Sequence, residues 1–174
     1  EWTAHARQIP TLALNPEGNI LASGSRDSTI RLWDLRTGGL RDTLIGHTED
    51  VMSVRFSPDG SLLASASYDH TVRLWAVTSG KCLRIFQGHT NRVFNVAFSP
   101  DGKQLASVGD ATFRFWDVSN GSSLRMVSFG GKIVTAQGEV PENLSSVAFS
   151  PGGDLLAVSS TTGLTFWCPR KPEP

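Results

Sequence analysis

Histidine, serine and aspartate recur in this chain at one spacing, and these are the residue types of a general base, a nucleophile and an orienting acid. His5, Ser23 and Asp27 make one set, His47, Ser65 and Asp69 a second, and His89, Ser107 and Asp110 a third. Hydrolysis would need one specialised site with an oxyanion loop, and no Gly-x-Ser-x-Gly turn accompanies any of the three. Three copies at one period point to framework rather than to an active centre. His47 and His89 stand in equivalent places and suit metal ligation by type, yet each already has a serine and an aspartate to satisfy. Gly130-Gly131-Lys132 lacks the spaced glycine and following hydroxyl residue of a phosphate loop. Arg26, Arg31, Arg36 and Arg41 around Trp33 have the composition of a nucleic-acid patch, but strand alternation sends them to different edges and faces. Neither catalysis nor a metal or cofactor is expected from these residues.

The elements that carry these residues are set by a period of about 40 residues, which is the mark of a repeat architecture. Trp33, Trp75 and Trp116 are 42 and 41 residues apart, and Pro16, Pro58 and Pro100 are spaced by 42 each. A fourth copy follows with Pro151 and Trp167. Each of the first three units opens on a histidine 11 residues before its proline. An apolar stretch such as Val51-Met52-Ser53-Val54-Arg55-Phe56 then runs into Ser57-Pro58-Asp59-Gly60, a strand stopped by a turn. Leu62 to Ser67 is small and apolar, suiting a strand packed on both faces; Tyr68-Asp69-His70 is a tight turn; Thr71 to Trp75 alternates into a third strand. Lys81 to Phe86 makes a fourth. Four short strands per unit make one propeller blade. The predicted fold is therefore all-β, with blades at about 1–45, 46–87, 88–129 and 130–174.

Gly-His, Ser-Pro-Asp-Gly, Ala-Ser, a turn aspartate and Trp-Asp occur here in register, and with them the chain resembles the WD-repeat family over nearly its whole length. Trp33-Asp34 and Trp116-Asp117 are the name-giving dipeptide, while Trp75-Ala76 and Trp167-Cys168 are variants. The resemblance implies a buried hydrogen-bonded tetrad in each unit: His5, Ser23, Asp27 and Trp33; His47, Ser65, Asp69 and Trp75; His89, Ser107, Asp110 and Trp116. A buried indole N–H and imidazole each need such partners. The fourth unit departs from the pattern, with Val158 for serine, Thr161 for aspartate and no histidine in place. It is expected to be the least rigid. Trp116 to Pro151 spans 35 residues where Trp75 to Pro100 takes 25, so an insertion loop is expected at about 131–143.

With 16 basic and 16 acidic residues the formal net charge is zero, so no overall field draws the chain to nucleic acid or an anionic membrane. A protein or peptide partner, read by shape and local chemistry, is the expected ligand. No apolar run approaches the roughly 20 residues of a membrane span, and Glu1-Trp2-Thr3-Ala4-His5 has no signal-peptide character. Cys82 and Cys168 lie in different repeats without a disulfide framework, which favours an intracellular setting, cytoplasmic or nuclear. Asn120-Gly121-Ser122 and Asn143-Leu144-Ser145 match the glycosylation pattern, which matters only for a secreted chain.

In the family, partners often dock where the turns of the tetrad histidine and aspartate meet. That end holds Arg7, Arg26, Glu49, Asp50, Met52, Tyr68, His70, Asn91, Arg92 and Phe94, with Lys132, Glu139 and Glu142 in the insertion. The box from Ile20 to Arg36 also resembles that of WD-repeat substrate receptors of cullin-RING ubiquitin ligases, in which Asp34 and Arg36 would meet the adaptor. A regulatory segment of a larger ATPase or enzyme is a further reading. Family propellers usually close with seven or eight blades. Trp2-Thr3-Ala4 reads as the end of a fourth strand, and Pro169, Pro172 and Pro174 oppose a regular strand after Trp167. A partial propeller is expected, completed by further blades of the parent chain or by a second copy.

Overall fold

Short runs of alternating apolar and polar residues, cut by glycine- and proline-bearing turns, give only strands a chance to form. The computed structural model describes residues 5–128, 132–135, 138–141, 144–161 and 163–168, and every regular element among them is a β-strand. The first sheet holds β1 (Thr11–Leu14), β2 (Ile20–Gly24), β3 (Ile30–Asp34) and β4 (Gly39–Leu44). The second holds β5 (Val51–Phe56), β6 (Leu62–Ser67), β7 (Val72–Ala76) and β8 (Cys82–Phe86). The third holds β9 (Val93–Phe98), β10 (Gln104–Gly109), β11 (Thr112–Asp117) and β12 (Ser123–Ser128). Each is an antiparallel meander, the architecture of a propeller blade.

The fourth sheet has three described strands, β15 (Leu144–Phe149), β16 (Leu156–Ser160) and β17 (Gly163–Trp167). Between the third and fourth sheets the segment read from sequence as a loop differs from that reading. It carries a hairpin of β13 (Lys132–Thr135) and β14 (Gly138–Pro141), paired from Lys132 with Pro141 to Thr135 with Gly138. Ile133, Val134 and Val140 give this stretch the β-branched content that favours an extended pair over an open loop. The stretch Trp2 to Ala4, residues 130–131, Glu142 and the prolines from Pro169 onward lie outside the described residues, as do the side chains of Lys132 and Glu139.

The first turns of the second and third sheets are built alike on a serine and an aspartate. Ser57 Oγ donates to Asp59 Oδ1 at 2.5 Å, Asp59 Oδ1 accepts the Ser61 N–H at 3.1 Å, and Gly60 takes a φ of 73°. Asn15 replaces the serine in the first sheet, its Oδ1 accepting the N–H groups of Asn19 and Ile20.

Sheets stack face to face, and each interface is an apolar cluster. Ala22, Ile30, Leu32 and Leu44 of the first sheet pack on Val51, Val54, Leu63, Trp75 and Val77 of the second. The same positions recur at the next interface, where Ala64, Ala66, Val72, Leu74 and Phe86 meet Val93, Val96, Leu105 and Trp116. At the third, Ala106, Val108, Phe113 and Phe115 meet Leu144, Val147, Leu156 and Val158. The first strands β1, β5, β9 and β15 pack in succession along the inner side of the arc. Hydrogen bonds tie the first two blades, with Val51 N–H donating to Ser25 O at 3.0 Å and the Thr11 hydroxyl accepting Val54 N–H at 3.2 Å.

The arc is open, a partial propeller. Leu12 and Leu14 of β1 are 58% and 57% exposed, although Val54 and Val96, at the register of Leu12, are fully buried against a preceding blade. At the other end Leu164 and Phe166 are 59% and 63% exposed, where Val72 and Leu74 are buried against a following one.

Candidate functional site

The aspartate turns between the second and third strands bring the three predicted tetrads together, one per blade. In the second blade Trp75 Nε1–H donates to Ser65 Oγ at 2.8 Å, Ser65 Oγ lies 2.7 Å from His47 Nε2, and His47 Nδ1 lies 2.7 Å from Asp69 Oδ2. In the third, Trp116 Nε1 to Ser107, Ser107 to His89 Nε2 and His89 Nδ1 to Asp110 are 2.8, 2.8 and 2.7 Å. In the first, Trp33 to Ser23, Ser23 to His5 Nε2 and His5 Nδ1 to Asp27 Oδ2 are 2.9, 2.8 and 3.0 Å.

The chemistry of these atoms orders the protons. A carboxylate only accepts, so Nδ1 carries the imidazole hydrogen, Nε2 of the neutral ring accepts from the serine hydroxyl, and the serine oxygen accepts from the indole. Burial pulls the imidazoles of His47 and His89 below their ordinary value against the opposing pull of Asp69 and Asp110, which keeps both rings neutral. Burial pushes the Asp69 carboxyl up, and the hydrogen bonds from His47 and from the hydroxyl and N–H of Thr71 outweigh it, so Asp69 lies well below the usual carboxylate range. Asp27 behaves alike, burial being outweighed by Thr29, the Ala6 and Thr29 N–H groups and His5.

The geometry closes these sites to substrate. Ser65 and Ser107 are 0% exposed and Ser23 is 2% exposed, and each hydroxyl is committed on both sides. A fifth member escaped the sequence reading. Thr29, Thr71 and Thr112 each donate their hydroxyl to the tetrad aspartate at 2.6 Å. Its signal was present as Asp-x-Thr, repeated three times.

Above the tetrads, the candidate docking residues divide into two groups. Tyr68, Arg92 and Phe94 meet across the junction of the second and third blades: the Arg92 guanidinium lies 4.6 Å over the Tyr68 ring, and Phe94 stands edge-on to Tyr68 at 5.6 Å. Arg92 and Phe94 line an open groove of about 780 Å³ with Glu49, His70, Asn91 and Asp110. Arg26 forms a separate ion pair with Asp50 at 3.5 Å. Arg7 is exposed and Met52 half-buried, and neither lines the groove. Asp34 spends its Oδ1 on the N–H groups of Arg36 and Thr37 in its own turn, while the Arg36 side chain is 77% exposed. Among the described residues, no group of histidine, cysteine, aspartate and glutamate is placed to hold a metal, and no helix is long and apolar enough to cross a membrane.

Comparison with known proteins agrees with this geometry. The family described as "WD domain, G-beta repeat" matches residues 1–34, 38–76 and 80–117. The chain is similar to nuclear distribution protein PAC1 of Tuber melanosporum, at 45% identity over 49 residues, 28% of this chain and 11% of that protein. It is 45% identical to F-box/WD repeat-containing protein 10 of Mus musculus over 47 residues, 27% of this chain and 5% of that protein. Eukaryotic translation initiation factor 3 subunit I of Neurospora crassa is 48% identical over 42 residues, 24% of this chain and 12% of that protein. The matched stretch is thus a small part of each relative's length.

Proposed function

This chain belongs to the WD-repeat family, and we propose that it is a non-catalytic protein- or peptide-binding scaffold whose docking surface is the tetrad end of the second and third blades. One observation carries the reading: Arg92, Tyr68 and Phe94 form a stacked aromatic–cation cluster on the rim of an open groove, held from below by two buried tetrads. Arginine and tyrosine on a rigid base lose little entropy on binding and are the residue types that anchor interfaces. Zero net charge supports recognition by such local chemistry. One relative named above is a subunit of a translation initiation factor, which supports a place in an assembly. The two open apolar faces support completion of the arc by further blades.

The test is site-specific photo-crosslinking in the native complex. A crosslinker at Asn91, on the groove, is expected to trap a protein partner, with yield reduced at least fivefold by Tyr68→Ala with Arg92→Ala; one at Lys81, on the exposed outer edge of the second blade, is expected to trap none. Equal yields from the two positions would remove the assignment.

A second reading, as ubiquitin-ligase substrate receptor, is supported by the exposed Arg36 and by similarity to an F-box/WD protein. Arg36→Ala is then expected to reduce co-purification of a cullin adaptor. Unchanged recovery would sink it.

A further inference from the structure

The inner strands of the arc hold one residue that the repeat does not explain. Ala13, Arg55, Ala97 and Ala148 occupy the same place in β1, β5, β9 and β15, each paired across its sheet with an alanine, namely Ala22, Ala64, Ala106 and Ala157. Three blades fill this place with a methyl group. The second fills it with a guanidinium, half-buried on the concave side of the arc.

No carboxylate among the described residues forms an ion pair with Arg55. Arg55 Nη1 donates to the Val54 carbonyl of its own strand, 2.8 Å away, which leaves most of its five donors to solvent or a ligand. Burial pulls the guanidinium below its ordinary value. A partly desolvated, uncompensated cation costs stability, so folding alone does not account for an arginine where the repeat uses alanine.

The surroundings say what would compensate it. Arg55 lines a groove of about 440 Å³ along the inner strands with Leu14, Phe56, Phe98, Phe149 and Pro100. Ser57, Ser99 and Ser146 interrupt these apolar walls, and among the described residues Arg55 is the only charged one lining the groove. Ser57 and Ser99 give their hydroxyl protons to Asp59 and Asp101, so a doubly charged phosphate would find little beyond one guanidinium, whereas a carboxylate matches the planar fork in number of bonds and in charge.

We propose that this inner groove binds a single carboxylate carried on an apolar stretch of a partner polypeptide, with Arg55 as its anion anchor and the phenylalanines as its apolar walls. The site lies on the inner strands rather than on the groove around Arg92, so each can fail without the other.

The test uses the intact protein and isothermal titration calorimetry with three N-acetylated, unlabelled peptides: Ala-Leu-Phe-Leu with a free C-terminus, the same peptide amidated, and amidated Ala-Leu-Glu-Phe-Leu. At least one of the two carboxylate-bearing peptides is expected to bind, about tenfold or more tighter than the neutral one. Preference between them assigns a chain terminus or an acidic side chain as the source. Arg55→Ala is expected to abolish the difference while leaving the melting temperature unchanged or higher, because it restores the residue of the other blades. Tyr68→Ala is expected to leave peptide binding intact. Equal binding of the neutral peptide, undiminished binding in Arg55→Ala, displacement by inorganic phosphate at concentrations where acetate does nothing, or a lower melting temperature in both Arg55→Ala and Arg55→Met would each overturn the proposal.

Discussion

Each tetrad passes hydrogen bonds in one direction, from indole to hydroxyl to imidazole to carboxylate, and this makes the fold sensitive to acid. The imidazoles of His47 and His89 lie below the ordinary 6.5, so the unfolded chain takes up a proton before the folded one does. Their contribution is complete above pH 6.5 and drains away as pH falls toward the folded values. Asp27, Asp69 and Asp110, lowered from 3.8, add a second loss as pH falls below about 4. Thermal unfolding followed by circular dichroism should show a flat melting temperature above pH 7, a decline beginning near 6.5 and a steeper one below 4. A melting temperature rising between pH 7 and 5 would contradict the proton order. The threonine that completes the set is testable too: Thr71→Val keeps the shape, removes one bond to Asp69, and should cost about 1–2 kcal/mol in urea unfolding. Sequence pattern led directly to histidine, serine, aspartate and tryptophan because their spacing repeats. It missed the threonine because Asp-x-Thr is also an ordinary turn sequence, and only the 2.6 Å contacts distinguish the two.

Among the elements, the β10–β11 hairpin is the most constrained. One residue fewer than in the first two blades leaves Asp110 and Ala111 alone between the strands, with φ of 46° and 55°. Both central residues at positive φ give the backbone twist that suits a two-residue hairpin, but alanine has no local hydrogen bond to offset the strain. Ala111→Gly should therefore stabilise the protein by about 0.5–1 kcal/mol. Gly109→Ala should act in the opposite direction, because its Cβ would stand 2.4 Å from the Arg92 carbonyl oxygen, a backbone atom that cannot step aside. Differential scanning calorimetry on the pair resolves the two signs. The fourth blade combines a valine at the serine position with a third strand exposed along Leu164 and Phe166. Hydrogen exchange should reach the amides of β15 to β17 before those of β5 to β8. The strand pattern of the first three blades could be read from turns and periodicity. The β13–β14 hairpin could not, because an insertion has no second copy against which to align it.

For the molecule as a whole, the decisive quantity is what covers the two end faces. Leu12 occupies the register of Val54 and Val96, and Phe166 that of Leu74 and Phe115, so both ends carry side chains suited to burial and lack a neighbour. If further blades cover these faces, Leu12→Asp or Phe166→Asp should destabilise the native assembly by about 2–3 kcal/mol, as a buried charge without a partner does. If the faces stand in water, the same changes should be neutral within about 0.5 kcal/mol. Sedimentation of the wild type and both variants separates these outcomes. The repeat number and the open arc were legible from the chain itself; the arginine of the inner groove was legible only in part, since aligning Pro16, Pro58, Pro100 and Pro151 sets Arg55 against three alanines but does not show whether a carboxylate meets it.

The bond from Val51 N–H to Ser25 O fastens the entry of one blade to a turn of the blade before it. During synthesis that order has a direction. At roughly 5–20 residues per second the ribosome delivers about 42 residues in some 2–8 seconds, so the first strand of the second blade is expected to emerge with its anchoring carbonyl already made. The second blade should then dock on the first as it is made, and limited proteolysis of ribosome-bound chains stalled beyond it is expected to find Val51–Phe56 protected before the third blade has emerged.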